Sequence, residues 1–229
     1  MNPKQIVGEA SMAWVQSGMK VGLGTGSTSF FAIQALGKVV EKGLEVVGVA
    51  TSQETERIAA EVGIPILSIA EVDTLDLYID GADEVDSQGN LIKGGGGALF
   101  REKRIATIAR QRIIIVDESK VVPVLGAFPL PLEVVPFGWQ YVAQQVRQRG
   151  GIPTLREEAG QAYRTDNGNY ILDCQMGQIP DPKGLHDELK ALVGVVETGL
   201  FTGLSDYVVV GMKSGQHHIF EAGKEVVHL

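Results

Sequence analysis

A chain of 229 residues has room for one large domain, or for one domain carrying a smaller insert. Hydrophobic residues make up 44% and charged residues 21%, the balance of a soluble globular protein, which excludes a disordered chain. The formal net charge of −8 argues against wrapping nucleic acid or clinging to anionic lipid, so any anion must be bound in a local cradle.

The first element predicted is a helix over 2–17, where Ile6, Ala10, Ala13 and Trp14 recur at helical spacing and Gly18 acts as a stop. Short apolar runs then alternate with amphipathic stretches. Strands are expected at 21–23, 46–50, 75–79 and 113–116, and helices at 28–41, 54–62 and 98–110. Unbroken apolar strands alternating with helices imply a doubly wound, mostly parallel α/β sheet buried on both faces, of Rossmann-like type. The pattern changes at Gly126. The segment FPLPLEVVP (128–136) reads as a strand whose prolines place it at an edge or crossing. A helix at 139–149, a strand at 153–156, a turn at Asn167-Gly168, a strand at 170–175, a helix at 182–193 and a strand at 196–201 follow. In order they give β-α-β-β-α-β, a ferredoxin-like arrangement. Strands at 207–212 and 218–221 return the chain to the first layer. The expected division is an α/β catalytic domain from 1–126 and 201–229, with 127–200 forming a small α+β lobe.

A single cysteine, Cys174, rules out an internal disulfide and reads as a small buried hydrophobe. No apolar run approaches the roughly 18 residues of a membrane span. The N-terminus lacks the layout of a signal peptide. A cytoplasmic location is expected, with neither membrane nor nucleic acid as partner.

In an open parallel sheet, ligands bind beyond the carboxyl ends of the strands. The segments that follow the predicted strands are GLGTGSTS (22–29), Thr51-Ser52, DGADEVD (80–86) with KGGGGALFREK (93–103), and DESK (117–120). These Gly-rich and charged segments converge on one rim. GLGTGSTS suits a phosphate: glycines turn backbone N–H groups toward an anion, and Ser27, Thr28 and a helix start add hydroxyls and a dipole end. A dinucleotide fingerprint would need Gly where Ser27 stands and an acid where Thr51 stands. A phosphate-loop fingerprint would need a lysine before the hydroxyl residue. Four successive glycines at 94–97 bring backbone close to a ligand or to another backbone. Glu102, more than one turn into the predicted helix, could be a solvated charge, but Lys93, Asp80 and Asp83 share its rim. Clustered carboxylates in DGADEVD could hold a divalent cation, yet Lys93 and Lys120 beside them argue against a metal. His186, His217, His218 and His228 show no metal-ligand spacing and read as ordinary strand or surface residues.

In order, GLGTGST, DGADE, KGGGGAL-REK and DESK resemble the signature regions of the type A ribose-5-phosphate isomerases, and FPLPLEVVP and TDNGN extend the likeness over essentially the whole chain. The family pattern often has Ala where Gly97 stands and a small polar residue where Phe100 stands. The resemblance implies a cofactor-free aldose–ketose isomerase of the pentose phosphate pathway that interconverts ribose 5-phosphate and ribulose 5-phosphate. It makes Glu102 the catalytic base, with Asp80, Asp83 and Lys93 around the reacting carbons. Substrate-binding positions carried over are Lys4, Thr25, Gly26, Ser27, Thr28, Gly81, Ala82, Gly94, Gly95, Gly96 and Lys120, together with Asp80, Asp83 and Lys93.

The chemistry of these residue types agrees. One carboxylate above two neighbouring carbons can remove a proton from one and return it to the other. Lys93 and the N–H groups of the glycine run would stabilise the enediolate, Lys120 would supply charge at the phosphate, and Asp80 or Asp83 could move hydroxyl protons. Three alternatives use the same fold. An amino-sugar-phosphate deaminase would need a catalytic histidine, and none follows a core strand. A non-catalytic sugar-phosphate sensor would not need Glu102. A nicotinamide oxidoreductase is weakened at Ser27 and Thr51. A homo-oligomer is expected, with a dimer preferred, through the FPLPLEVVP edge and the small lobe.

Overall fold

The computed structural model describes residues 2–224. Helix α1 (Pro3–Ala10) gives way at Ser11 to a 3-10 turn, Ser11–Trp14, so the single helix expected over 2–17 is broken. The Ser11 hydroxyl donates back to the Gly8 carbonyl at 2.8 Å, a bond that competes with the α-helical ladder. The chain then runs through β1 (Lys20–Leu23), α2 (Ser27–Glu41), β2 (Val47–Ala50), α3 (Gln53–Glu61) and β3 (Leu75–Asp80). Two short strands, β4 (Glu84–Val85) and β5 (Leu91–Ile92), precede α4 (Leu99–Ile108) and β6 (Ala109–Asp117). Beyond lie β7 (Leu130–Val134), α5 (Trp139–Gln148), β8 (Ile152–Leu155), the short pair β9 (Glu157–Glu158) and β10 (Gln161–Ala162), and β11 (Tyr170–Gln175). Helix α6 (Pro182–Lys190), β12 (Val195–Thr198), β13 (Leu200–Phe201), β14 (Tyr207–Gly211) and β15 (His217–Glu221) complete the fold.

The main sheet has the order β15-β14-β6-β3-β1-β2 and is parallel except for β15. Its inner strands are apolar on both faces because both are covered, whereas the edge strand β15 is largely exposed. Leu77, Ile79, Ile113 and Ile115 point into one core with Val7, Ile33 and Leu36 of the first two helices. Tyr78 points the other way, to Ile105 and Ala106 of α4, while Ile114 and Val116 pack with Leu99 and Phe201. Fully burying each of the valine, leucine, isoleucine and phenylalanine side chains among these stabilises the fold by about 1.5–3 kcal/mol. The chain leaves β1 for β2 on one side and then returns to lay β3 on the other. That reversal opens a crevice between the carboxyl ends of β1 and β3.

The second sheet has the order β12-β7-β11-β8, all antiparallel, the ferredoxin-like pairing. It corrects the expectation that FPLPLEVVP forms an edge, because β7 is central. Pro131 is tolerated there because β12 pairs only as far as Thr198 opposite Leu132, and the Pro131 carbonyl accepts from the Gly199 N–H at 2.7 Å. The strand expected over 196–201 is divided at Gly199, and its second half joins β5 and β4 in a three-stranded sheet absent from the sequence reading. The Asn167-Gly168 turn is present, but β8 and β11 are joined by a longer excursion that includes β9 and β10. Cys174 is fully buried in β11, and burial pushes its thiol up to about 12. His228 lies outside the described residues.

Candidate active site

Three buried charges converge where the crevice opens. The Lys93 ammonium is 2.8 Å from Asp80 Oδ2 and 3.3 Å from Glu102 Oε2, and it donates to the Gly81 carbonyl at 2.7 Å. Lys93 and Glu102 are each 3% exposed and Asp80 not at all. Asp80 ends β3, where its Oδ1 accepts from the Thr25 and Gly81 N–H groups and from the Ser29 hydroxyl at 2.7–3.2 Å. Its Oδ2 also accepts from the Tyr78 hydroxyl. Gly24 permits this packing, since a Cβ there would lie 1.9 Å from Asp80 Oδ1.

Glu102 lies in the first turn of α4, nearer the helix start than the sequence pattern placed it, because the helix begins at Leu99. Its Oε2 is buried and accepts no hydrogen bond among the described residues, with the Lys93 ammonium 3.3 Å away. Burial raises its carboxyl to about 8, the Lys93 charge opposes that rise, and Asp80 and Asp83 add to it. Burial alone would lower the Lys93 ammonium, but Asp80 and Glu102 outweigh it and hold the group well above the usual lysine range. Burial, Asp80 and Glu102 together keep the Tyr78 phenol protonated far beyond its usual range.

A cavity of about 270 Å³ fronts these groups and is lined by every predicted site residue except Asp80. Lys4, Ser27, Thr28 and Lys120 meet there, with the Lys4 ammonium donating to Ser27 Oγ at 2.7 Å. Helix α2 starts at this point behind Gly26, with no acidic residue in its first turn, so its positive end is left for an anion. Thr25 is held in place by hydroxyl contacts of 2.7–3.0 Å with Thr51, Ser52 and Thr55. Asp80 lies behind the cavity wall. Asp83 lines it, half-buried, and accepts from the Gly95 N–H at 2.8 Å. The Gly97 N–H bonds to the Gly94 carbonyl, so two of the four glycine N–H groups already have partners.

A neighbouring hollow of about 510 Å³ shares Thr25, Gly26, Ser27 and Gly96, but its remaining walls carry Phe30, Phe31, Ile58 and Tyr163 and no lysine. The charges select the smaller cavity for chemistry. Gly97 faces the larger hollow, where a Cβ would fall 2.2 Å from Tyr163 Oη, and Phe100 turns away into a separate groove with Ile69 and Arg104. Among the described residues no group of three His, Cys, Asp or Glu side chains is arranged to hold a metal ion. No helix there is long and apolar enough to cross a membrane.

Sequence reasoning missed Tyr78, Ser29 and Arg156. Tyr78 reads as a core residue, yet it lies two positions before Asp80 on a strand and therefore on the same face. Arg156, far along the chain, donates to the Gly94 and Gly95 carbonyls at 3.0 Å, and nothing in its local pattern signals this.

Comparison with known proteins agrees with this geometry. A chain named Ribose-5-phosphate isomerase A 1 from Oceanobacillus iheyensis is 50% identical over 92% of this chain and 94% of its own length. One named Ribose-5-phosphate isomerase A from Thermomicrobium roseum is 51% identical over 88% of this chain and 86% of its own. The structure superimposes with a TM-score of 0.93 on a D-ribose-5-phosphate isomerase in complex with phospho-erythronic acid, at 38% identity, covering 96% of this chain and all of that one. A ribose 5-phosphate isomerase from Plasmodium falciparum gives 0.92 at 34% identity, over 96% of this chain and 97% of that one. The family profile described as Ribose 5-phosphate isomerase A (phosphoriboisomerase A) matches residues 47–215, and it is to this family that the chain belongs.

Proposed function

We propose that this chain interconverts ribose 5-phosphate and ribulose 5-phosphate through an enediolate, with Glu102 as the group that carries the proton. The observation behind this reading is a buried carboxylate of raised basicity beside a lysine, facing a small cavity whose other end is a phosphate cradle. The phosphate binds at the start of α2 with Ser27, Thr28, Lys4 and Lys120, which aims the sugar's carbonyl end at Lys93. Glu102 removes the proton from the second carbon and returns it to the first, acting as base and then as acid. Lys93 and the Gly96 N–H take up the charge that develops on the enediolate oxygens. Asp80 already accepts from four groups besides Lys93, so it positions Lys93. Asp83, with Oδ1 unengaged among the described residues, moves the hydroxyl protons and assists ring opening. Relatives named as isomerases favour this over a non-catalytic sensor.

The reading extends to a cytoplasmic enzyme of the pentose phosphate pathway. It treats 1–126 with 201–229 as the catalytic unit and 127–200 as the lobe that carries a dimer contact. Since β7 is central, that contact is assigned to exposed Val135, Phe137, Tyr141 and Val193, where the Val135 N–H bonds to the Gly194 carbonyl. The decisive experiment is incubation with ribose 5-phosphate after dialysis against a strong chelator, with no cofactor added. Ribulose 5-phosphate should accumulate. Absence of ketose, or activity that returns only with a divalent ion, would overturn the reading.

A further inference from the structure

Arg156 is 62 and 61 residues from Gly94 and Gly95 in sequence, yet its Nη1 donates to the carbonyls of both at 3.0 Å. The guanidinium is held in turn by Asp173, which accepts from Nε at 2.9 Å and from Nη2 at 2.6 Å. The two side chains are 15% and 28% exposed, so the pair is largely shielded from water. The Tyr163 ring lies 5.7 Å from the guanidinium carbon and also packs on Gly97, adding a second contact between this hairpin and the glycine run.

The consequence follows from peptide geometry. In a trans peptide the C=O and the following N–H point in opposite directions, and every described peptide bond here is trans. Holding the Gly94 carbonyl therefore turns the Gly95 N–H away from Arg156, and that N–H does reach Asp83 Oδ2 at 2.8 Å. By the same logic, holding the Gly95 carbonyl turns the Gly96 N–H to that side, where Gly96 lines the catalytic cavity with Lys93 and Glu102. Four glycines have no side chains to fix their own peptide planes, so an external clamp is needed to keep both N–H groups aimed. A cation on the two carbonyls also polarises these peptides and strengthens the N–H groups as donors.

We propose that Arg156, locked by Asp173, is a positioning residue for the reaction, aiming the Gly95 N–H at Asp83 and the Gly96 N–H at the enediolate oxygens. The proposal rests on the isomerase reading above. It predicts a defect in stabilising developing charge, with phosphate binding left intact.

The test uses the full chain with Arg156→Gln, Arg156→Lys and Asp173→Asn. Arg156→Gln should lower kcat by about 10–100-fold, with KM for ribose 5-phosphate changed by no more than about threefold. Arg156→Lys, which keeps the charge but not the fork, should recover part of that loss. Calorimetry then separates positioning from general damage. Phospho-erythronic acid offers a planar carboxylate whose two oxygens share charge as those of the enediolate do, so its affinity should fall in parallel with kcat. Affinity for inorganic phosphate should stay within about twofold. A folded Arg156→Gln enzyme with kcat within threefold of wild type, or equal weakening of both ligands, would overturn the proposal. If the glutamine variant does not fold, Asp173→Asn carries the same test through a loosened guanidinium, and unchanged kinetics there would overturn it. A wild-type chain inactive on ribose 5-phosphate would instead defeat the isomerase reading, and the calorimetric contrast would still judge Arg156.

Discussion

Lys93 and Lys103 are ten residues apart, both buried and both close to the face of the Phe201 ring, at 5.6 and 4.7 Å from its centroid. Their surroundings make them opposites. Lys93 lies between two carboxylates and is held firmly charged. Lys103 has one carboxylate, Glu197 at 2.8 Å, and its other acceptors are the neutral carbonyls of Thr198 and Leu200. Burial therefore prevails over Glu197 and brings its ammonium down to about 8. One lysine sits among carboxylates beside Glu102, whose basicity burial and then Asp80 and Asp83 raise, and the other ties α4 to β12 and β13. Burying a lysine does not make a site. The number of carboxylates around it, and whether they face a cavity, decides between chemistry and fastening.

The sharpest way to break this contrast is Glu102→Gln, which keeps the size of the side chain and removes its basicity. Turnover should fall by about 10²–10⁴-fold while substrate still binds. Near-normal kcat would pass the base role to Asp83. Lys103→Met should act on stability instead. Losing one partner of a buried pair costs about 3–5 kcal/mol, and because Lys190 also lies 3.4 Å from Glu197 the effect should fall at the lower end. Thermal unfolding should register this drop, with kcat of the folded variant within about threefold of wild type. A large loss of kcat at unchanged stability would place Lys103 in the chemistry. Lys120→Ala and Thr28→Ala should come next in size, raising KM by about tenfold with smaller changes in kcat, since the phosphate is remote from the reacting carbons. Steady-state kinetics with unchanged KM and collapsed kcat would refute the phosphate assignment.

The smallest effects are those of pH. Glu102 has its folded-state pKa raised to about 8, above the unfolded value, so its contribution to stability is complete below about pH 4.5 and is lost as pH rises toward 8. Lys103 has its pKa lowered to about 8, so the unfolded chain holds more protons between pH 8 and about 10.5, and stability rises across that window. The gain in melting temperature of Glu102→Gln over wild type should therefore grow from pH 5 to pH 8. The acid limb of kcat/KM should lie well above the ordinary carboxylate range. A limb near pH 4.5 would contradict the burial of Glu102.

Much of this was legible in the sequence because it depends on local pattern. The unbroken apolar strands through Leu77, Ile79, Ile113 and Ile115 announced a sheet covered on both faces, and the rim followed from strand ends. The cradle at Thr25–Thr28 needs only a strand, a glycine-rich turn and a helix start, all contiguous. What escaped depends on partners remote in the chain. Strands β4, β5 and β13 have two residues each, too few to show any periodicity, and the sheet they form depends on β13 reaching β5 across more than a hundred residues. Proline's missing donor argues that FPLPLEVVP lies at an edge, whereas here the neighbouring strand β12 stops one residue short of Pro131. The different settings of Asp80 and Asp83 were equally hidden. DGADE offers two similar aspartates, and only the closure of Thr25, Ser29 and Tyr78 around the first removes it from the cavity.

The lone cysteine leads to a different kind of result. Cys174 lies in the middle of the lobe's sheet, fully buried, with its thiol pushed to about 12 by burial. Thiol reagents attack the exposed thiolate, so in the native protein neither access nor ionisation is available. Labelling must then wait for the lobe to open, and with one thiol in the chain every labelled molecule records one such opening. The rate of modification at rising reagent concentration becomes a clock for the lobe alone, read without any added probe. Run beside an activity assay, it would time whether the lobe loosens before the catalytic crevice fails.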